Sequence, residues 1–152
     1  MASSVLPKSL VTQTPAAPPE AAREHFAARL AFETDAADVA ADLRLGAERD
    51  YTVLDVRGPR SYDAAHVPGA LNVPSSAIDA AVAAGLPAGL LVVYCWGPGC
   101  NGAQKAAHRL AAHGRQVKEM IGGMEYWIRE GQPVEGERAA ELAARADPDL
   151  VG

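Results

Sequence analysis

Two cysteines, Cys95 and Cys100, are all that this chain of 152 residues contains. That is too few for a disulfide scaffold and too few for a complete structural zinc site. Aromatic residues are scarce at 5%, and no uninterrupted apolar run approaches the roughly 18 residues that a membrane span requires. Residues 1–10 show no basic stretch leading into an apolar one, so no secretory leader is read there and the cytoplasm is the expected compartment. Cations are also in deficit. Lys and Arg total 14 against 19 Asp and Glu, giving −5 with no basic stripe, which argues against a nucleic-acid partner. What is present is ordinary globular usage: 49% hydrophobic and 22% charged residues, enough to exclude a wholly disordered chain. At ~150 residues per domain the length corresponds to about one domain.

Residues 1–19 carry Pro7, Pro15, Pro18 and Pro19 among Ser, Thr and Ala, and read as a flexible N-terminal tail. Residues 20–29 turn helix-friendly and form a helical extension. From residue 30 onward strand-like and helix-like segments alternate. Residues 30–33 read as a short strand, and Thr34 with Asp35 caps a helix that ends at Gly46. Residues 51–56 form a buried strand closed by Gly58-Pro59, and residues 70–73 a second short one. Ser75 or Ser76 is the expected cap of a helix reaching residue 84. Residues 90–94 are a continuous apolar run suited to a central parallel strand. Residues 103–113 are amphipathic, 117–121 form another strand, 124–130 a helix, and 137–146 a surface helix. Such alternation implies right-handed crossovers, hence an α/β fold with a doubly wound, mostly parallel central sheet and helices on both faces.

In such sheets ligands bind beyond the carboxyl ends of the strands. The segment after the run 90–94 is Cys95-Trp96-Gly97-Pro98-Gly99-Cys100-Asn101-Gly102, and it leads straight into a helix. Glycines allow successive backbone N–H groups to turn inward as an anion-binding nest, to which a helix N-terminus adds partial positive charge. Both effects are expected to stabilise a thiolate at Cys95 and to lower its pKa. Breaking a sulfur–sulfur bond by nucleophilic attack needs such a thiolate, and the loop backbone from Trp96 to Gly102 would cradle the anionic product.

Five segments, taken in order, resemble a single-domain rhodanese of the sulfurtransferase family. They are Asp55-Val56-Arg57, His66-Val67-Pro68-Gly69-Ala70-Leu71-Asn72-Val73-Pro74, Val93-Tyr94-Cys95, Ile121-Gly122-Gly123-Met124-Glu125-Tyr126-Trp127 and Gly131-Gln132-Pro133-Val134. The resemblance covers residues 30–135 and leaves 136–152 as a C-terminal helical extension or tail. It implies a cysteine that takes up sulfane sulfur as a persulfide and passes it to a thiol or other nucleophile, and by position that cysteine is Cys95. The donor is thiosulfate or a low-molecular-weight persulfide, the acceptor a small thiol or a protein, and neither a metal nor an organic cofactor is called for. It also implies supporting roles: Asp55 bonds backbone at a strand end, Arg57 ties loops near the site, His66 fixes a turn, and Gly122 and Gly123 allow the last strand and helix to approach closely. Trp96, next to the nucleophile, would shield the persulfide or pack.

The chain departs from the family pattern in four places. Cys100 stands where the family often places Arg, the loop looks enlarged, Ser61 replaces a common Glu, and Ala65 replaces a common Gly. Without the loop Arg, thiosulfate loses a fixed cation, for which Lys105, His108 and Arg109 on the next helix are the candidate substitutes. Cys100 becomes a candidate resolving thiol for Cys95. Phosphatases of the same fold require Cys-x5-Arg to grip a phosphoryl dianion, and Asn101 occupies that position here. The rival of a different class is a non-catalytic binding, regulatory or redox-sensing module that uses Cys95 and Cys100.

Overall fold

Along the central strand, side chains alternate between two hydrophobic clusters: Leu91 and Val93 enter one, Val92 and Tyr94 the other. That alternation is the period of two of an extended chain, and it shows a strand covered on both faces. The computed structural model describes residues 5–46 and 48–150. Residues 5–18 form only turns and bends. Helix α1 spans Pro19–Phe32. By its internal contacts the chain divides into two units, Met1–Ala31 and Phe32–Gly152. The second unit runs β1 (Glu33–Asp35), α2 (Ala36–Leu45), β2 (Tyr51–Asp55), α3 (Pro59–Ala64), β3 (Leu71–Asn72), α4 (Ala80–Gly85), β4 (Leu90–Tyr94), α5 (Gly102–Ala112), β5 (Val117–Ile121), α6 (Gly123–Arg129) and α7 (Ala139–Ala143), with single 3-10 turns at Ser75–Ala77 and Pro148–Leu150.

The five strands pair in the order β1-β5-β4-β2-β3, every pair parallel. One face of the sheet packs against α2 and α6 through Val39, Ala40, Met120, Met124 and Trp127. The other packs against α4 and α5 through Leu54, Ala83, Leu91, Ala106 and Leu110. This is the doubly wound α/β architecture expected from the alternation of segments. From β4 the chain moves to β5 on one side, and from β2 to β3 on the other. The crevice beyond the carboxyl ends of β2 and β4 is therefore the switch point where such sheets place their ligands.

Local chemistry explains the element boundaries. Asp35 caps α2, its carboxylate accepting from the Asp38 N–H at 2.9 Å, and Gly46 closes that helix at φ 58°. Three boundaries differ from the sequence expectation. Residues 30–32 complete α1 instead of starting a strand, because the Ala-rich helix continues until Glu33 pairs with β5. Neither Ser75 nor Ser76 caps a long helix. Those residues form a 3-10 turn, and α4 is capped by Asp79, whose side chain accepts from the Val82 N–H at 2.8 Å. Gly58-Pro59 opens a helix instead of a plain turn, because the fixed φ of proline suits the first helical position.

Candidate active site

Counting alternate faces along β4 and one residue beyond puts Tyr94 on the α2/α6 side of the sheet and Cys95 on the α4/α5 side, beneath the start of α5. Cys95 is buried and Cys100 half-buried, and both are free thiols. Between them the loop folds back on itself, the Cys100 N–H donating to the Gly97 carbonyl at 3.0 Å. The two sulfurs therefore converge. A Cβ placed on Gly102 would lie 3.0 Å from Cys95 Sγ and 3.3 Å from Cys100 Sγ. A side chain at Gly102 would crowd both sulfurs. Its own N–H donates to Cys100 Sγ at 3.3 Å, and the Trp96 N–H is directed at both sulfurs.

The electrostatics overturn one expectation. The nest does not lower the pKa of Cys95: burial pushes it up to about 11, and the hydrogen bond shared with Cys100 adds to the rise. The Trp96 N–H and the Arg57 charge pull the other way and are outweighed. Cys100 moves in the opposite direction. Burial raises it, but the Cys95 hydrogen bond, the Gly102 and Trp96 N–H groups and the Lys105 charge together bring it below the ordinary thiol value. Cys100 is the better solvated of the two and takes a backbone N–H at hydrogen-bond distance, so of the pair it is the one that ionises first. Glycine density pointed to the loop, but the depth of Cys95 reverses the expected direction of its shift.

The rest of the loop is held from α6. Met124 and Glu125 donate their N–H groups to the carbonyls of Cys95 and Trp96 at 2.9 and 2.7 Å. Such proximity demands Gly123, at φ 61°, where a Cβ would lie 2.6 Å from the Cys95 carbonyl oxygen and 2.8 Å from the Gly97 nitrogen. Gly122, at φ 83°, leaves room for the Tyr126 side chain. The Glu125 carboxylate lies over Gly97, whose Cβ would come within 2.8 Å of it. Trp96 is 50% exposed and covers Gly99, while Pro98 and Asn101 face solvent. Trp127, by contrast, is fully buried and donates its indole N–H to the Pro133 carbonyl.

On the opposite face lies a buried polar network that sequence reading found only in part. Asp55 has no exposed surface, and both its carboxylate oxygens accept from Arg57, whose Nη2 also donates to the Ala65 carbonyl. The Tyr94 hydroxyl donates to Asp55 Oδ2 at 2.8 Å and accepts from the Val67 N–H at 3.1 Å. Asn72 donates to the carbonyls of Asp55 and Arg57. His66 stacks on Tyr62 and donates through Nδ1 to the Tyr62 carbonyl at 2.7 Å, while its backbone bridges Glu135. Tyr94 and Asn72 were missed as network members. For Tyr94 the available signal was the strand period, which sets it opposite Cys95. On α5, Arg109 Nη1 is occupied by the Ser75 carbonyl and hydroxyl, and Lys105 and His108 line a shallow cleft with Asn101 and Gln104.

A thiol pair at the carboxyl end of a central parallel strand, cradled by a helix N-terminus and braced by a second helix, defines a class: an α/β domain built around a loop cysteine. The chain belongs to the rhodanese-like domain family, whose model matches residues 36–130. Among solved structures it is similar to the BH2092 protein from Bacillus halodurans, with 41% identity and a TM-score of 0.77 over 82% of this chain and 90% of that one. It is also similar to the rhodanese-like domain of the Alr3790 protein from Anabaena, at 29% identity and a TM-score of 0.62 over 70% and 80% of the two chains. A curated relative, the HTH-type transcriptional regulator Rv0324 of Mycobacterium tuberculosis, is 35% identical over 86 residues. That match spans 57% of this chain and only 38% of the regulator. Among the described residues no helix is long and apolar enough to cross a membrane.

Proposed function

We propose that the domain is a sulfurtransferase that carries sulfane sulfur as a persulfide on Cys95. The observation that supports this most directly is the placement of Cys95 Sγ against Gly102 at the opening of α5, within reach of the Trp96 N–H. A thiolate there attacks the outer sulfur of thiosulfate or of a low-molecular-weight persulfide, releasing sulfite or the parent thiolate. The new terminal sulfur is anionic, and the partial positive charge of the loop N–H groups and of the first turn of α5 offsets it. Transfer to a small thiol or a protein thiol then restores Cys95. The Asp55–Arg57–Tyr94 network holds the ends of β2 and β4 in register beneath the loop and is a positioning element. A cytoplasmic setting, where thiols stay reduced, suits this chemistry.

The test is turnover with thiosulfate or glutathione persulfide as donor and an excess of a dithiol acceptor. Cys95→Ser abolishes sulfide release, and a native rate in that variant overturns the assignment. The resemblance to a transcriptional regulator favours a second reading, in which the domain reports thiol state to a partner and turns nothing over. Equal background rates for the wild type and Cys95→Ser support that reading.

A further inference from the structure

Sulfur transfer through Cys95 leaves one reactive group unused, the half-buried thiol of Cys100, which the turn from Gly97 to Cys100 folds back against the nucleophile. Its sulfur and that of Cys95 both border the space above Gly102, at 3.3 and 3.0 Å from where a Cβ there would lie. A disulfide needs two sulfurs that can reach one another, and both of these already lie against one glycine. We propose that Cys100 is the resolving thiol of the site: it attacks Cys95 Sγ in the persulfide, expels the outer sulfur as hydrosulfide, and leaves a Cys95–Cys100 disulfide. The inference rests on the persulfide reading above and extends it.

The step balances without an external oxidant. The Cys100 sulfur contributes the electron pair of the new sulfur–sulfur bond, and the bond between Cys95 Sγ and the outer sulfur breaks. That sulfur departs with the bonding pair and takes up the proton that the Cys100 thiol gives up, so it leaves as hydrosulfide. The sulfane sulfur is reduced to sulfide while two thiols become one disulfide. Reopening takes two electrons and two protons from a dithiol reductant. The domain would thus convert sulfane sulfur into free sulfide and then stay closed until reduced, which couples its output to the dithiol supply. The lowered pKa of Cys100 favours this direction of attack, because the thiolate is the nucleophile.

The experiment uses the reduced full chain, loaded to completion with thiosulfate or, separately, glutathione persulfide. No reductant is present, and the reaction is followed by intact mass and by released sulfide. The wild type is expected to lose two hydrogens and to release one sulfide per chain, while Cys100→Ser and Cys100→Ala keep one added sulfur on Cys95 and release none. Wild-type protein that holds a stable persulfide on Cys95, with Cys100 still open to alkylation, overturns the resolving role and leaves the sulfurtransferase reading standing. A chain in which neither the wild type nor the Cys100 variants take up sulfur or release sulfide overturns both. Two Cys100 variants are used so that a folding defect in one does not decide the result.

Discussion

Asp55 and Tyr94 are register partners at the ends of β2 and β4, and the Tyr94 hydroxyl donates to Asp55 Oδ2 at 2.8 Å. Both side chains are fully buried, so the contact has no water to replace it. Tyr94→Phe removes that donor and also strands the Val67 N–H, which the hydroxyl accepts. The stranded N–H costs about 1–3 kcal/mol and the lost bond to Asp55, which keeps Arg57, about 1 kcal/mol more, so a loss of roughly 2–4 kcal/mol is expected. Urea unfolding monitored by circular dichroism measures it, and a change below about 0.5 kcal/mol contradicts the account. Asp55→Asn is expected to cost more, about 3–5 kcal/mol, because it leaves the mostly buried Arg57 charge without its counter-ion.

Gly123→Ala tests how α6 holds the loop. The added Cβ would lie 2.6 Å from the Cys95 carbonyl oxygen, and the residue already has φ 61°. The neighbouring atoms are all backbone, so relief requires the loop to move away from α6. Sulfur loading of Cys95 should fall at least about tenfold, equivalent to ~1.4 kcal/mol, because a small displacement of a nucleophile is costly. Far-ultraviolet circular dichroism should change little. Native loading in a folded Gly123→Ala protein removes the bracing role.

The thiol pair sets a definite pH behaviour. Cys95 is raised to about 11, so its thiolate fraction, and with it the rate of attack, climbs about tenfold per pH unit below that value. Cys100 is lowered, so iodoacetamide near neutral pH is expected to label Cys100 before Cys95. Cys100→Ser removes the neighbouring thiolate, and the inflection for Cys95 moves to lower pH. Peptide mapping after timed alkylation reads both effects. Preferential labelling of Cys95 in the wild type, or an unmoved inflection in the variant, overturns the charge assignment.

Much of this site was legible in the sequence because its parts are local. The apolar run of β4, the glycines after Cys95 and the Asp35 cap each encode their geometry within a few neighbouring residues. Gly122-Gly123 could be read as a close approach, although what approached it could not. The charge of the thiol pair was not legible, because it depends on two sulfurs meeting across a folded loop and on the depth of Cys95 beneath α5. Helix α3 was hidden for a related reason. Gly58-Pro59 serves as a turn and as a helix start alike, and the contacts of Tyr62 with Ala70 and His66 that accompany the helix are made beyond that dipeptide.

Donor preference follows from the cations that are already committed. Thiosulfate is a dianion, and the loop position where the family often carries Arg holds Cys100. The Arg57 charge reaches Cys95, but that guanidinium is paired with Asp55 on the other side of the sheet. Arg109 spends Nη1 on Ser75. That leaves the exposed Lys105, a mobile point charge instead of a bidentate fork. A missing charge-assisted hydrogen bond is worth about 1.5–3 kcal/mol, so kcat/KM for thiosulfate should fall roughly ten- to a hundredfold below that for glutathione persulfide. Cys100→Arg should recover part of the difference for thiosulfate and none for the persulfide. The measurement is steady-state kinetics with both donors on both proteins in the presence of a dithiol acceptor. Equal kcat/KM values for the two donors in the wild type would show that Lys105 or the backbone N–H groups alone suffice to hold the dianion.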